Sequence, residues 1–237
     1  MRRKMMLGAA VFAAATMSLT VSSASAAPMA DPVPAPSVRA CGEVRLTGSL
    51  PAPPAGMAVR QQVTIGADCK PVFGEARLVP APRDGAAQKA VGSRPAAAAG
   101  DARAATERRL TSWNEMYDCC NIRMTGLYTT SRWTPGDGRI STASTTVTQG
   151  WNREPWNAGW SLKSAVHSTD CTTDCGASRT EAHADFTYKG IFDFSGNTYA
   201  NAHHSYVDLN ADGTANCRFD VQLRNTFIGW NWQRGCS

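Results

Sequence analysis

The chain has 237 residues, of which 43% are apolar and 18% charged, and it carries 8 cysteines. That composition supports one medium folded domain with something small beside it, and it excludes a wholly disordered polymer. The formal charge of +5 lies mostly in the leader. Without residues 1–26 the balance is 21 basic against 19 acidic residues, and from Thr111 onward it is 10 against 12. No run of Lys or Arg remains to neutralise phosphates, which excludes nucleic acid as a partner.

Arg2, Arg3 and Lys4 open the chain, Leu7 to Val21 is an uncharged apolar run, and Ala24-Ser25-Ala26 supplies small residues for cleavage. That order reads as a secretory signal peptide over 1–26, and the apolar run is too short for a membrane span of ~20 residues. Residues 27–40 are rich in Ala and Pro and are expected to form an extended tail. Segment 41–79 reads as a small β module: Val44 to Leu46 and Val59 to Ile65 alternate as short strands do, and Cys41 and Cys69 bracket them. Segment 80–109 has almost no large apolar residue and reads as a disordered linker. It ends on Arg108-Arg109, a protease-like site, which makes the small module a candidate pro-segment.

Segment 110–237 carries all seven tryptophans and six cysteines. Strands are expected over Met116 to Tyr128, Ile140 to Gln149, Trp156 to Val166, Ala215 to Leu223 and Phe227 to Trp232. A long hairpin is expected over Glu181 to Leu209, turning at Ser195-Gly196. Pro135 to Gly138 and Asn210 to Gly213 read as turns. The fold expected is mainly β, an antiparallel sandwich or barrel-like domain stapled by disulfides.

An even cysteine count in an exported chain reads as disulfides. Adjacent Cys119 and Cys120 point to opposite faces of a strand, so they are expected to pair separately with Cys171 and Cys175, and Cys217 with Cys236. A zinc site on Cys119, Cys120, Cys171 and Cys175 is the alternative, but no C-x-x-C pair supports it.

Three constellations are candidates for function. In the long hairpin His183, Asp185, Thr187, His204, Tyr206 and Asp208 share one face, with Asp185 expected opposite Tyr206 and His183 opposite Asp208. His183, Asp185 and His204 are the residue types for general acid–base or metal-assisted hydrolysis. A solvated polar face is the plainer account, and His203 on the other face reads as a packed histidine. Asp208, Asn210 and Asp212 fit the opening of a calcium loop, though a turn rich in Asn, Asp and Gly needs no ion. Trp151, Trp156, Trp160, Trp230 and Trp232 are candidates for an exposed aromatic surface, with core packing as the alternative.

No nucleophile elbow, zinc-protease helix or P-loop motif is present. The sequence therefore points first to a secreted, extracellular and non-catalytic protein of bacterial type. It would bind a polysaccharide or a protein partner through its indoles. A secreted hydrolase on the hairpin histidines is the second reading. No cofactor is expected, with calcium as the one possible exception.

Overall fold

The computed structural model describes residues 40–81, 106–153, 159–189 and 198–237. The expected signal peptide over 1–26, the tail before Ala40, most of the expected linker, Trp156 and the turn expected at Ser195-Gly196 lie outside them. Every described element is a strand. In chain order they are β1 (Ala40–Cys41), β2 (Val44–Pro51), β3 (Met57–Ile65), β4 (Pro71–Phe73) and β5 (Arg77–Pro80). Then come β6 (Arg108–Tyr117), β7 (Arg123–Gly136), β8 (Arg139–Trp151), β9 (Trp160–Thr169) and β10 (Thr173–Cys175). The last are β11 (Ala177–Lys189), β12 (Thr198–Asn210), β13 (Ala215–Arg224), β14 (Thr226–Phe227) and β15 (Asn231–Cys236).

They form two antiparallel sheets packed face to face. The smaller runs β2-β13-β12-β11-β9; the larger runs β10-β8-β7-β6-β15-β3-β4, with β5 also on β3. Both are open, so the fold is a sandwich rather than a barrel, and β1 with β14 makes a small separate ribbon. Period-two alternation builds the core. In β12 every second residue is buried, and in β13 Cys217, Phe219, Val221 and Leu223 point inward while their neighbours face water.

Segment 41–79 is not a module of its own. β2 pairs with β13 in one sheet and β3 pairs with β15 in the other, so it contributes to both layers. Leu46, Val63 and Ile65 are fully buried in the shared core. Two short strands have little core to themselves and gain it only by joining the larger sheets. Removing this segment as a pro-segment would strip β2 from the smaller sheet and β3, β4 and β5 from the larger.

The expected strand from Met116 to Tyr128 is broken at 118–122. The Asp118 carboxylate accepts the Cys120 and Ile122 amides at 2.9 and 2.8 Å, and Asn121 sits at φ 59°. An Asx turn of this kind offers the backbone partners that compete with strand pairing. The cysteines differ accordingly. Cys41–Cys69 and Cys217–Cys236 form as expected, but Cys171 bonds Cys175 and leaves Cys119 and Cys120 free and exposed. This removes two of the four thiolates that a zinc site on Cys119, Cys120, Cys171 and Cys175 would need.

The hairpin has the expected faces but another register. His183 lies opposite His204, Glu181 opposite Tyr206, Asp185 opposite Ala202 and Arg179 opposite Asp208. The offset from expectation is an even number of residues. Every side chain therefore keeps its face although its partner changes.

A polar seam joins the sheets inside the core. The Asn114 amide donates to the His204 carbonyl at 3.0 Å, so its Oδ1 faces the donors Trp232 Nε1 at 2.6 Å and His203 Nδ1 at 3.1 Å. His203 Nε2 then accepts from the Thr125 hydroxyl at 2.8 Å, and Asn201 donates to that same hydroxyl at 2.9 Å. His203 is fully buried with its ring edge-on to Phe186. It is the packed, hydrogen-bonded histidine that its place on the apolar face suggested.

Candidate functional site

The outer face of the larger sheet carries a built surface. Along β6 the inward residues are Ser112, Asn114 and Met116, so Trp113, Glu115 and Tyr117 point out. Pairing then sets Arg60, Gly235, Trp113, Tyr128 and Thr148 in one row across β3, β15, β6, β7 and β8. The next row is Gln62, Gln233, Glu115, Gly126 and Gly150.

The glycines decide how the rings lie. A methyl group at Gly235 would stand 2.0 Å from Trp113 Cζ2, and one at Gly126 would stand 2.6 Å from Tyr128 Oη. With hydrogen in those places the indole lies over the Gly235 backbone and the phenol over that of Gly126. The Arg60 guanidinium carbon sits 5.1 Å from the Trp113 ring centroid, a cation–π distance.

Glu115 fixes the phenols. Tyr128 donates to its Oε1 at 2.5 Å and Tyr117 to its Oε2 at 3.0 Å, while Arg123 donates to Tyr128 Oη at 2.8 Å. Burial and then the Glu115 charge push the Tyr117 hydroxyl up to about 12 and the Tyr128 hydroxyl higher still. Both phenols therefore remain donors at neutral pH. Together these side chains border a groove of about 800 Å³, lined among others by Arg60, Gln62, Arg109, Trp113, Tyr117 and Tyr128. That volume is in the range of small-molecule sites.

The hairpin histidines occupy the outer face of the smaller sheet. His183 and His204 rings lie 4.1 Å apart by centroid, and His183 Nε2 donates to Asp185 Oδ1 at 2.8 Å. Ser164 donates to the other Asp185 oxygen at 2.7 Å. Burial alone would raise the Asp185 pKa, but these two hydrogen bonds and the His183 ring hold it below the usual value. The His204 pKa is lowered by burial and by its neighbour His183, against the pull of Glu181, whose Oε1 is 3.7 Å away. This is an oriented imidazole, but the Ser164 hydroxyl donates its hydrogen bond to the carboxylate and not to a histidine. Among the described residues no three His, Cys, Asp or Glu side chains gather as metal ligands.

The remaining sequence candidates are placed as follows. Trp160, Trp230 and Trp232 are 7%, 8% and 0% exposed, so they are core side chains and not an exposed ridge. Trp160 and Trp230 pack edge to face in an aromatic cluster with Tyr188, Tyr199 and Phe227, because flat rings bury the most area at the end of the sandwich. Trp151 is half-buried against Phe186, and Trp156 lies outside the described residues. Asp208 pairs with Arg179 at 3.3 Å instead of converging on Asn210 and Asp212. Asp212 accepts the Thr214 amide and hydroxyl, and Asn210 donates to that hydroxyl, as the turn requires.

No family model, curated protein or solved structure matches the chain.

The site therefore has to be read from its own chemistry. Trp113, Glu115, Tyr117, Tyr128, Arg60 and Gly235 are residues that sequence reasoning passed over. The i, i+2 spacing of Trp113, Glu115 and Tyr117 is the signal that marks them as one face. Nothing local in the sequence brings Gly235 beneath Trp113, since that depends on a pairing between distant strands.

Proposed function

We propose that the chain is a secreted, non-catalytic binding protein that holds a polysaccharide on the outer face of its larger sheet. The observation that carries the reading is the pair of aromatic rings laid over glycines inside a groove of about 800 Å³. Sugar rings present C–H faces that stack on such π-surfaces, and hydroxyl groups at their rims seek the donors and acceptors that Gln62, Gln233, Glu115 and Arg60 provide. The glycines and the Glu115 hydrogen bonds orient the rings before binding, so little side-chain order remains to be gained at association. Export is supported by the leader over 1–26 and by three bridges in one chain.

The test is retention on a panel of insoluble polysaccharides, followed by titration calorimetry with fragments of any that bind. Trp113→Ala and Tyr128→Ala should each weaken binding about tenfold or more, as truncated aromatic anchors do. Folded variants that bind as well as the wild type would refute this face. Retention on none of the panel would refute the polysaccharide and leave a protein partner. The second reading, a hydrolase on the smaller sheet, rests on the His183–Asp185 hydrogen bond at 2.8 Å. It requires a hydrolytic activity that His183→Ala removes and Trp113→Ala spares.

A further inference from the structure

We infer that Cys119 and Cys120 are a dithiol site that closes on itself as a vicinal disulfide by exchange with a small-molecule disulfide. The inference is independent of what the groove binds. Three observations carry it. Both side chains are exposed, and their sulfurs are 3.7 Å apart. The other six cysteines are paired among themselves, so each thiol has only its neighbour within the chain. The pair sits in a turn, where neighbouring side chains need not diverge as they do in a strand.

That turn is held from several sides. The Asp118 carboxylate receives the Cys120 and Ile122 amides, and Asn121 N donates to the Asp118 carbonyl at 3.1 Å. From β15, Asn231 donates to the Asp118 carbonyl at 3.3 Å and Gln233 to the Asn121 side chain at 3.1 Å. The sulfurs are thereby kept side by side at the tip of a fixed loop. The Cys120 thiol is raised above its usual pKa by its hydrogen bond to the Cys119 sulfur and by the charge of that neighbour.

The chemistry balances as ordinary exchange. One cysteine thiolate attacks the small disulfide, forms a mixed disulfide and expels one small thiolate. The adjacent cysteine then attacks the protein-bound sulfur and expels the second. Two electrons pass to the small molecule, and the two cysteine protons end on the two released thiols. With both sulfurs already close, the second step is effectively intramolecular and outruns accumulation of the mixed disulfide.

The experiment treats the full-length reduced and refolded chain with oxidised glutathione, blocks free thiols with iodoacetamide, and maps the peptide containing 119–120 by mass spectrometry. The expected wild-type product has lost two hydrogens and carries neither glutathione nor alkyl groups. Cys119→Ser should instead accumulate a stable glutathione adduct at Cys120, since no second thiol releases it. Three results would overturn the inference: two alkylated thiols in the treated wild type, a wild-type glutathione adduct as abundant as that of Cys119→Ser, or Cys119 or Cys120 joined to any of the other six cysteines.

Discussion

Acidification should destabilise this sandwich from the inside, through His203. The side chain is fully buried, and its burial, with the nearby His204 ring, depresses its pKa from 6.5 to about 3. The geometry gives the reason. Nδ1–H is spent on Asn114 and Nε2 must accept from Thr125, so a second ring proton would face a hydroxyl already turned toward it. In the unfolded chain the same imidazole protonates near 6.5. Below that pH the unfolded state binds a proton that the folded state refuses, so stability falls as pH drops from 6.5 toward 3. At about 1.4 kcal/mol per pH unit, the loss between pH 6.5 and pH 5 is about 2 kcal/mol. That is a sizeable share of the roughly 5–15 kcal/mol that holds a domain together.

His204 contributes in the same direction, so the wild-type slope alone does not isolate His203. Comparison with His203→Gln does. Glutamine cannot titrate, so the variant should start lower at pH 7, by about 1–3 kcal/mol for lost packing and hydrogen bonds. It should then lose about 2 kcal/mol less than the wild type down to pH 5. Urea unfolding at the two pH values measures both quantities. Staying above pH 5 keeps the depressed carboxylates Asp185 and Asp212 out of the comparison, since their stabilisation fades only as pH falls below the ordinary aspartate range. Parallel slopes for wild type and variant would refute the assignment of a neutral, excluded imidazole.

Three further outcomes are expected. Gly235→Ala places a methyl 2.0 Å from the Trp113 indole and 2.5 Å from the Val59 carbonyl oxygen; it should cost about 1–3 kcal/mol in urea and reduce ligand retention, and an unchanged near-ultraviolet dichroism spectrum would count against this ring placement. In a spectrophotometric titration Tyr117 and Tyr128 should ionise above the ordinary tyrosine range, Tyr117 near pH 12 and Tyr128 later still, and Glu115→Gln should bring both down by removing the charge that opposes the phenolate. Replacing Cys217 and Cys236 together by serine should lower stability by about 2–4 kcal/mol, read from the urea midpoint, because the bridge ties a strand of each sheet to the other.

The sequence carries some of this plainly and some not at all. Alternation in β12 and β13 is strong because one face is uniformly buried, so strand positions and faces are readable from residue type. The register of β11 on β12 is not, because several even offsets satisfy the same pattern. Disulfides followed the same divide. Cys41–Cys69 brackets one local pair of strands and is legible. The isolation of Cys119 and Cys120 depends on Asp118 breaking what otherwise reads as a continuous strand. Tryptophan was the most misleading residue. Trp160 and Trp230 are flanked by polar or small neighbours that suggest exposure, yet the rings fold back into the end of the core. Trp113 draws no attention in the sequence, and it lies in the groove.

The reason a core strand can also be the floor of a binding face lies in β15. Its inward side chains are Trp232, bonded to Asn114, Arg234, bonded to Gln61, and Cys236, bridged to Cys217. Arg234 is 3% exposed, and Gly48 on the opposite sheet leaves room for its guanidinium, since a methyl there would stand 1.9 Å from Nη1. Each of those contacts holds the strand from beneath. Between Arg234 and Cys236 the alternation turns Gly235 outward, under the Trp113 ring. The backbone on which the indole rests is therefore held at the preceding residue by a buried side chain and at the following one by a covalent bond. A ring lying on so constrained a floor keeps its orientation in the absence of ligand. Movement of β15 is thus the route by which damage to the core would reach the groove.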